Sequence, residues 1–278
     1  MDAISELGWT SYRKGTFDVW RGPTHQHKED IVAEEVPVVL VYNTLPHVVM
    51  LATPLNLEDF AMGFSLTEGI IRHPAELQAV RVVQRSKGVE VRMTIPESRC
   101  EAMHGKGRNM TGRTGCGLCG ASTLEQAIRR PPPVGAGLPL DAEKLCQAMQ
   151  DMPSKQTLNQ MTGAVHAAGW LDSERGLIAV REDVGRHNAL DKLIGALAKA
   201  GCDFDKGWLL VTSRASYEMV QKAASVGITL LAAISAPTGL AIQLAEECGL
   251  TLIGFARNEN HTIYTHPHRL QHIQESVA

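Results

Sequence analysis

Trp208-Leu209-Leu210-Val211-Thr212, Thr229-Leu230-Leu231-Ala232-Ala233-Ile234 and Leu250-Thr251-Leu252-Ile253-Gly254-Phe255 are three short, continuously apolar runs. They are separated by two stretches of helical length, Ser216 to Val226 and Thr238 to Cys248. Apolar runs of this length suit strands covered on both faces, and the order strand–helix–strand–helix–strand builds layered α/β domains. Gly227 and Gly249 follow the two helices, where a residue of positive φ closes the last turn, and Pro237 fits a first turn. The run therefore predicts a three-layer α/β domain with a largely parallel sheet.

Working outward, Arg186 to Ala200 reads as another helix, with Ala189, Leu190, Leu193, Ile194 and Leu197 on one stripe and Gly201 as its stop. Gly163 to Leu171 and Gly176 to Arg181 read as a hairpin, and Asp141 starts a helix through about Met152. The segment Arg130-Pro131-Pro132-Pro133-Val134-Gly135-Ala136-Gly137-Leu138-Pro139 is a stiff, extended connector. It divides the chain into residues 1–130, a smaller α+β unit, and residues 131–278, the α/β domain. In the first unit, Val36 to Tyr42 and His47 to Ala52 form a strand pair, and Val80 to Gln84 and Val89 to Ile95 a second. Between them Asn56 caps a helix running through Ile71.

The chain has 278 residues, 44% hydrophobic and 21% charged, with a formal net charge of −3. This is the composition of a globular protein and argues against general binding to nucleic acid or to a membrane surface. No apolar run approaches the roughly 20 residues that span a bilayer, and the acidic start Met1-Asp2-Ala3-Ile4-Ser5-Glu6-Leu7 lacks the apolar core of a secretory signal. The cytoplasm is the expected location, where the six cysteines stay reduced. Cys100, Cys146, Cys202 and Cys248 lie singly and read as small buried hydrophobes.

The other two sit in Gly112-Arg113-Thr114-Gly115-Cys116-Gly117-Leu118-Cys119-Gly120. Glycine at four places around two thiols describes a mobile arm, and Arg113 favours the thiolate over the roughly 3% present at pH 7 for an unperturbed thiol. Half of a zinc site is the weaker reading, because no second Cys-x-x-Cys exists and His104 supplies only a third ligand. A thioredoxin-like redox pair fits chemically, but those motifs sit at a strand-to-helix junction.

A ligand of an open α/β sheet binds beyond the carboxyl ends of its parallel strands. Three segments converge there: Thr212-Ser213-Arg214, Ser235-Ala236-Pro237-Thr238 and Phe255-Ala256-Arg257-Asn258-Glu259-Asn260. Helix N-termini and two arginines at one edge favour a phosphate-bearing ligand. Taken singly, Ser213, Ser235 and Thr238 each read more readily as helix caps. Glu182 to Lys192 is dense in titratable groups and as a cluster suggests a site wall; Asp183 is expected as the cap of the helix there, and His187 read alone is a structural histidine.

The stretches Ala33–Val38, Gly63–Ile71, Gly112–Gly120, Glu182–Lys192, Ser213–Lys222 and Ile263–Pro267 together resemble the FdhD family of formate dehydrogenase accessory sulfurtransferases, in family order over nearly the whole chain. The resemblance implies a protein that accepts sulfur from a cysteine desulfurase as a cysteine persulfide. It passes that sulfur to the molybdenum of bis(molybdopterin guanine dinucleotide) for formate dehydrogenase. It implies that Cys116 carries the persulfide, with Cys119 as relay or resolving thiol. It further implies that Phe255, Ala256, Arg257, Asn258, Glu259 and Asn260 hold the cofactor, with Ser213 and Arg214 contributing from the first strand end. Guanine nucleotides are then mimics of the cofactor's ends. The family shows glycine and arginine where this chain has Glu259 and Asn260, and a carboxylate beside a pyrophosphate is repulsive. The second domain is expected to be cytidine-deaminase-like, and homodimers are common in that fold class. The helix starts Arg186-His187-Asn188-Ala189 and Arg214-Ala215-Ser216-Tyr217 lack a deaminase's zinc ligands, so no resident metal is expected. Two other readings remain beside the sulfurtransferase: a cofactor chaperone with structural thiols, and a dithiol redox enzyme.

Overall fold

A computed structural model describes residues 5–6, 9–104 and 129–272. Cys116 and Cys119 lie outside the described residues. Two short strands, β1 (Ser5–Glu6) and β2 (Trp9–Thr10), precede a long ribbon of β3 (Tyr12–Arg21) and β4 (Thr24–Ala33), which among the described residues pair only with each other. The first main sheet follows from β5 (Val36–Tyr42), β6 (Leu45–Ala52), β7 (Ala79–Arg85) and β8 (Gly88–Thr94), in the order β6-β5-β8-β7. Alternate residues Val36, Val38, Leu40 and Tyr42 point inward with Val89, Val91 and Met93, against Phe60 and Phe64 of helix α1 (Leu57–Thr67). Helix α2 (Glu97–His104) closes this unit.

The second sheet has six strands in the order β11-β10-β12-β13-β14-β15: β10 (His166–Asp172), β11 (Gly176–Asp183), β12 (Gly207–Val211), β13 (Leu230–Ala233), β14 (Thr251–Arg257) and β15 (Asn260–Thr265). Three helices cover one face: α5 (Arg186–Lys199), α6 (Tyr217–Ser225) and α7 (Gly239–Cys248). Helix α3 (Ala142–Lys155), entered from the short β9 (Leu140–Asp141), covers the other, and the short α4 (Thr157–Thr162) leads into β10. The strands serve both faces by alternation: Leu209 and Val211 face α5 to α7, while Trp208 and Leu210 face α3. No helix among the described residues is long and apolar enough to cross a membrane.

The architecture is therefore the α/β class read from the sequence, with one change. Only β12–β13 and β13–β14 pair in parallel; β10–β11, β10–β12 and β14–β15 are antiparallel. The sheet is mixed, because a hairpin enters at one edge and another ends it at the other. The connector 130–139 lies along the second unit, where Val134 N–H donates to Cys248 O, Trp208 Nε1–H to Leu138 O, and Arg269 to Ala136 O and Gly135 O.

Several local expectations change. Helix α1 stops at Thr67, short of Ile71, and Asn56 precedes it in the left-handed region with no side-chain cap bond. Asp183 does not cap α5; Gly185 holds that position. Asp141 and Thr238 do cap α3 and α7 through their side chains, while Pro237 lies before the cap rather than inside the first turn. Cys100 and Cys248 are buried, but Cys146 and Cys202 are half-buried.

The two units meet where α1 crosses α5. A Cβ at Gly63 would lie 1.7 Å from Asp191 O, and one at Gly195 would lie 1.9 Å from Asp59 O, so only glycine permits this approach. Charges fill the rest of the seam. Lys222 Nζ donates to Asp191 Oδ2 at 2.9 Å, Thr67 Oγ1 at 3.0 Å and Glu68 Oε1 at 3.2 Å. Arg129 pairs with Glu68 at 2.9 Å, and Arg181 and Lys199 both bind Asp59. Asp183 accepts from Thr53 N–H at 3.0 Å and Gly185 N–H at 2.8 Å and pairs with the fully buried Lys192 at 2.7 Å. Burial pushes the Glu68 carboxyl up, but the Lys222 and Arg129 charges outweigh it and hold the group below the ordinary glutamate range. Burial likewise opposes the Lys222 charge, and Asp191 and Glu68 overcome it, so Lys222 is held protonated.

Candidate functional site

Strand order fixes where ligand-binding groups collect. Helices α5, α6 and α7 each follow the carboxyl end of a strand, β11, β12 and β13, and these three strands run the same way. Their three N-termini open on one edge, where backbone N–H groups favour an anion. The loops between are tied to one another. Ala215 bridges Pro237, Thr238 N–H donates to Ala215 O, and Phe255 N–H donates to Ser235 O at 3.3 Å. The three segments expected to converge at this edge do so.

Their side chains divide into two groups. Arg214, Phe255, Arg257, Asn258, Glu259 and Asn260 are exposed. Ser213 is buried, with its hydroxyl donating to Arg214 O at 3.0 Å, and it caps no helix. Ala256 is buried under α3, because the irregularity in β14–β15 pairing between Gly254 and Arg257 turns it into that core. It can offer a ligand only its backbone. Phe255 has φ 53, a left-handed conformation unusual for an aromatic residue, and it stands 38% exposed at the edge. Asn258 and Glu259 also have positive φ, 49 and 66, and form the two-residue turn closed by the Arg257–Asn260 pair. That is the geometry in which a hairpin prefers Asn followed by glycine.

The Glu182 to Lys192 stretch proves mainly architectural. Glu182 accepts from Leu158 N–H and Asn159 N–H at the start of α4, Asn188 donates to Leu51 O, and Asp191 and Lys192 belong to the seam. Arg186 and His187 reach the edge. His187 Nε2 lies 2.8 Å from Glu218 Oε2 on α6, and both are largely buried. The pair escaped the sequence reading, since His187 and Glu218 sit on separate helices. The half-buried His166, at the start of β10, is pushed below the ordinary imidazole range by burial and then by the Arg186 charge.

A cavity of about 930 Å³ opens where the two units meet, lined by Glu68, Arg72, Arg99, Met103, Arg129 and Arg130 among others. The chain passes out of the described residues beyond His104 and returns at Arg129, so Met103 and Arg129 mark both sides of the cysteine-bearing segment at this cavity. Tyr217, the first residue of α6, donates its hydroxyl hydrogen to Arg129 O. This bond joins Arg129 to the start of α6. Burial raises the thiols of Cys100, Cys146 and Cys248 above the ordinary range, which makes each a poor nucleophile.

The model of the FdhD/NarQ family matches residues 33–271. The chain belongs to the FdhD/NarQ family. It is 51% identical over 250 residues to the sulfur carrier protein FdhD of Xanthomonas axonopodis pv. citri, covering 90% of this chain and 89% of that one. With the sulfur carrier protein FdhD of Cupriavidus necator it shares 50% identity over 253 residues, 91% and 88% of the two chains. Its fold is shared with a crystal structure described as a candidate formate dehydrogenase accessory protein from Desulfotalea psychrophila. The TM-score is 0.73 at 22% identity, covering 94% of this chain and 99% of that one. The FdhD/NarQ match leaves out the first 32 residues, so the β3–β4 ribbon lies largely beyond it.

Proposed function

We propose that this protein carries sulfur as a persulfide on Cys116 and delivers it to the molybdenum of bis(molybdopterin guanine dinucleotide), a substrate held at the carboxyl edge of the six-stranded sheet. The Cys116 thiolate attacks the outer sulfur of a persulfide on a cysteine desulfurase. The donor cysteine leaves as a thiolate, and the sulfur with its proton stays on Cys116. The loaded cofactor then serves formate dehydrogenase. The observation that carries this reading is the convergence of three helix N-termini and the exposed Arg214 at one edge, with Tyr217 at the start of α6 bonded to Arg129, ten positions beyond Cys119. Those ten positions span a contour of at most about 35 Å. Arginines and helix N-termini suit the cofactor's phosphates, and guanine nucleotides, which share its ends, bind at the same place.

The test is mass spectrometry after incubation with a desulfurase and cysteine. One added sulfur atom is expected on the peptide bearing Cys116, and none in Cys116→Ala. That variant is expected to lose maturation of formate dehydrogenase at unchanged thermal stability. Normal maturation by Cys116→Ala sinks the reading. A stable Cys116–Cys119 disulfide as the turnover species moves the protein to dithiol redox chemistry.

A further inference from the structure

The β3–β4 ribbon carries a cluster with no part in sulfur transfer. Asp18 and His27 face each other across the ribbon, and Trp20 faces His25 two residues nearer the turn. Positions two apart on a strand share a face, so the four side chains form one patch. Asp18 Oδ1 lies 2.8 Å from His25 Nε2 and 2.8 Å from His27 Nδ1. One ligand atom from each of the three residues lies within 4.8 Å of the others, and among the described residues this is the one such group of three or more His, Cys, Asp or Glu side chains. The imidazole centroids of His25 and His27 are 5.2 Å apart, and the Trp20 ring leans on His25 at 4.7 Å. All three ligand residues are exposed, which leaves further coordination positions to water.

We propose that Asp18, His25 and His27 bind one divalent transition-metal ion of borderline softness, such as Cu²⁺, Ni²⁺ or Zn²⁺. Two imidazole nitrogens and one carboxylate oxygen select that class over Mg²⁺ and Ca²⁺, which take oxygen ligands. The ligand atoms already converge, and each ring presents its lone pair to the ion by placing its proton on its other nitrogen. The site also answers a structural need. A two-stranded ribbon is marginal in water, and among the described residues this one has no third strand. A metal joining Asp18 on β3 to His25 and His27 on β4 clips the outer part of the ribbon beside its Gly22-Pro23 turn. Surface carboxylate–histidine contacts without a metal add little stability.

The experiment uses the full untagged chain with Cys116→Ala and Cys119→Ala, so that the arm thiols do not compete. Cu²⁺ and Zn²⁺ are titrated separately by calorimetry, and Cu²⁺ also by tryptophan fluorescence. One ion per chain is expected, with quenching by Cu²⁺ that disappears in Trp20→Phe and no binding of Mg²⁺. Loss of a partner outside the ligand set already weakens metal sites by about 10–100-fold. His25→Ala, His27→Ala and Asp18→Asn are each expected to weaken binding by at least about tenfold, and His261→Ala by nothing. Retention of one-to-one binding in the His25→Ala/His27→Ala variant, or absence of binding in the parent chain, overturns the proposal.

Discussion

The seam and the carboxyl edge use the same residue types in opposite ways. In the seam, Lys222, Asp191, Glu68, Arg129, Asp183 and Lys192 are paired at hydrogen-bond distance, most of them out of water. At the edge, Arg214, Arg257 and Glu259 stand exposed around three helix N-termini. Much of what makes the chain resemble its family lies in the seam: Gly63 to Ile71 supplies α1, Glu182 to Lys192 supplies Asp183 and Asp191, and Ser213 to Lys222 ends in Lys222. A dense motif can therefore mark where two units must fit, while the proposed site lies on sparser residues beside it. The seam still serves function indirectly. It fixes α1 against α5 and α6, and Arg129, at the return of the cysteine-bearing segment, is itself a seam residue.

The largest effect is expected from breaking the seam. Lys222→Met leaves Asp191 with only Thr67 as its partner and Glu68 with only Arg129. Removing one partner of a buried pair costs about 3–5 kcal/mol, whereas replacing both by apolar groups is often neutral. Chemical denaturation should show that loss in Lys222→Met and partial recovery in Lys222→Met/Asp191→Leu. Full stability of Lys222→Met combined with lost nucleotide binding would transfer the seam to the site and end the contrast. The acid limb follows from Glu68. Its folded pKa lies below the ordinary value, so its contribution is complete above the ordinary glutamate pKa near 4.5 and is lost as pH falls through the folded value. An acid titration of the unfolding midpoint should be flatter in Glu68→Gln.

The edge should respond in binding and hardly in stability. Arg257 is the one cation between Phe255 and Asn260 and is exposed at the hairpin tip. Arg257→Ala removes a charge-assisted phosphate contact worth about 1.5–3 kcal/mol, so GDP should bind about 10- to 150-fold more weakly at an unchanged unfolding midpoint. Calorimetry checks the first part and thermal unfolding the second. Binding equal to that of the parent chain would remove the hairpin tip from the phosphate site.

The order of strands and helices from Asp141 onward was legible, because continuous apolar runs and the glycine stops Gly201, Gly227 and Gly249 carry local signals. All three glycines do take positive φ. Strand direction was not legible: the apolar run of β10 reads the same whether it pairs parallel or antiparallel with β12. The β3–β4 ribbon went unread since its strands have no buried face to impose a hydrophobic alternation. Seam pairs such as Lys222–Glu68 join residues 154 apart, beyond any spacing rule. At the site, the convergence of the three loops was readable from strand ends. The inward turn of Ala256 was not, as it depends on an irregularity in pairing.

The smallest effect separates charge from backbone at the hairpin tip. Glu259 holds φ 66 in a two-residue turn, where the resemblance to the family implies glycine. Glycine there removes the left-handed penalty of roughly 1 kcal/mol and also removes a carboxylate beside the expected phosphates. Alanine removes only the carboxylate. Glu259→Gly should raise the unfolding midpoint by about 2–4 °C and tighten GDP binding, while Glu259→Ala should tighten binding without raising the midpoint. Equal midpoints in the two variants would mean that the turn stores no strain. Unchanged GDP affinity in both would mean that the Glu259 carboxylate lies away from the phosphates, leaving Arg214 and the helix N-termini as the anion site.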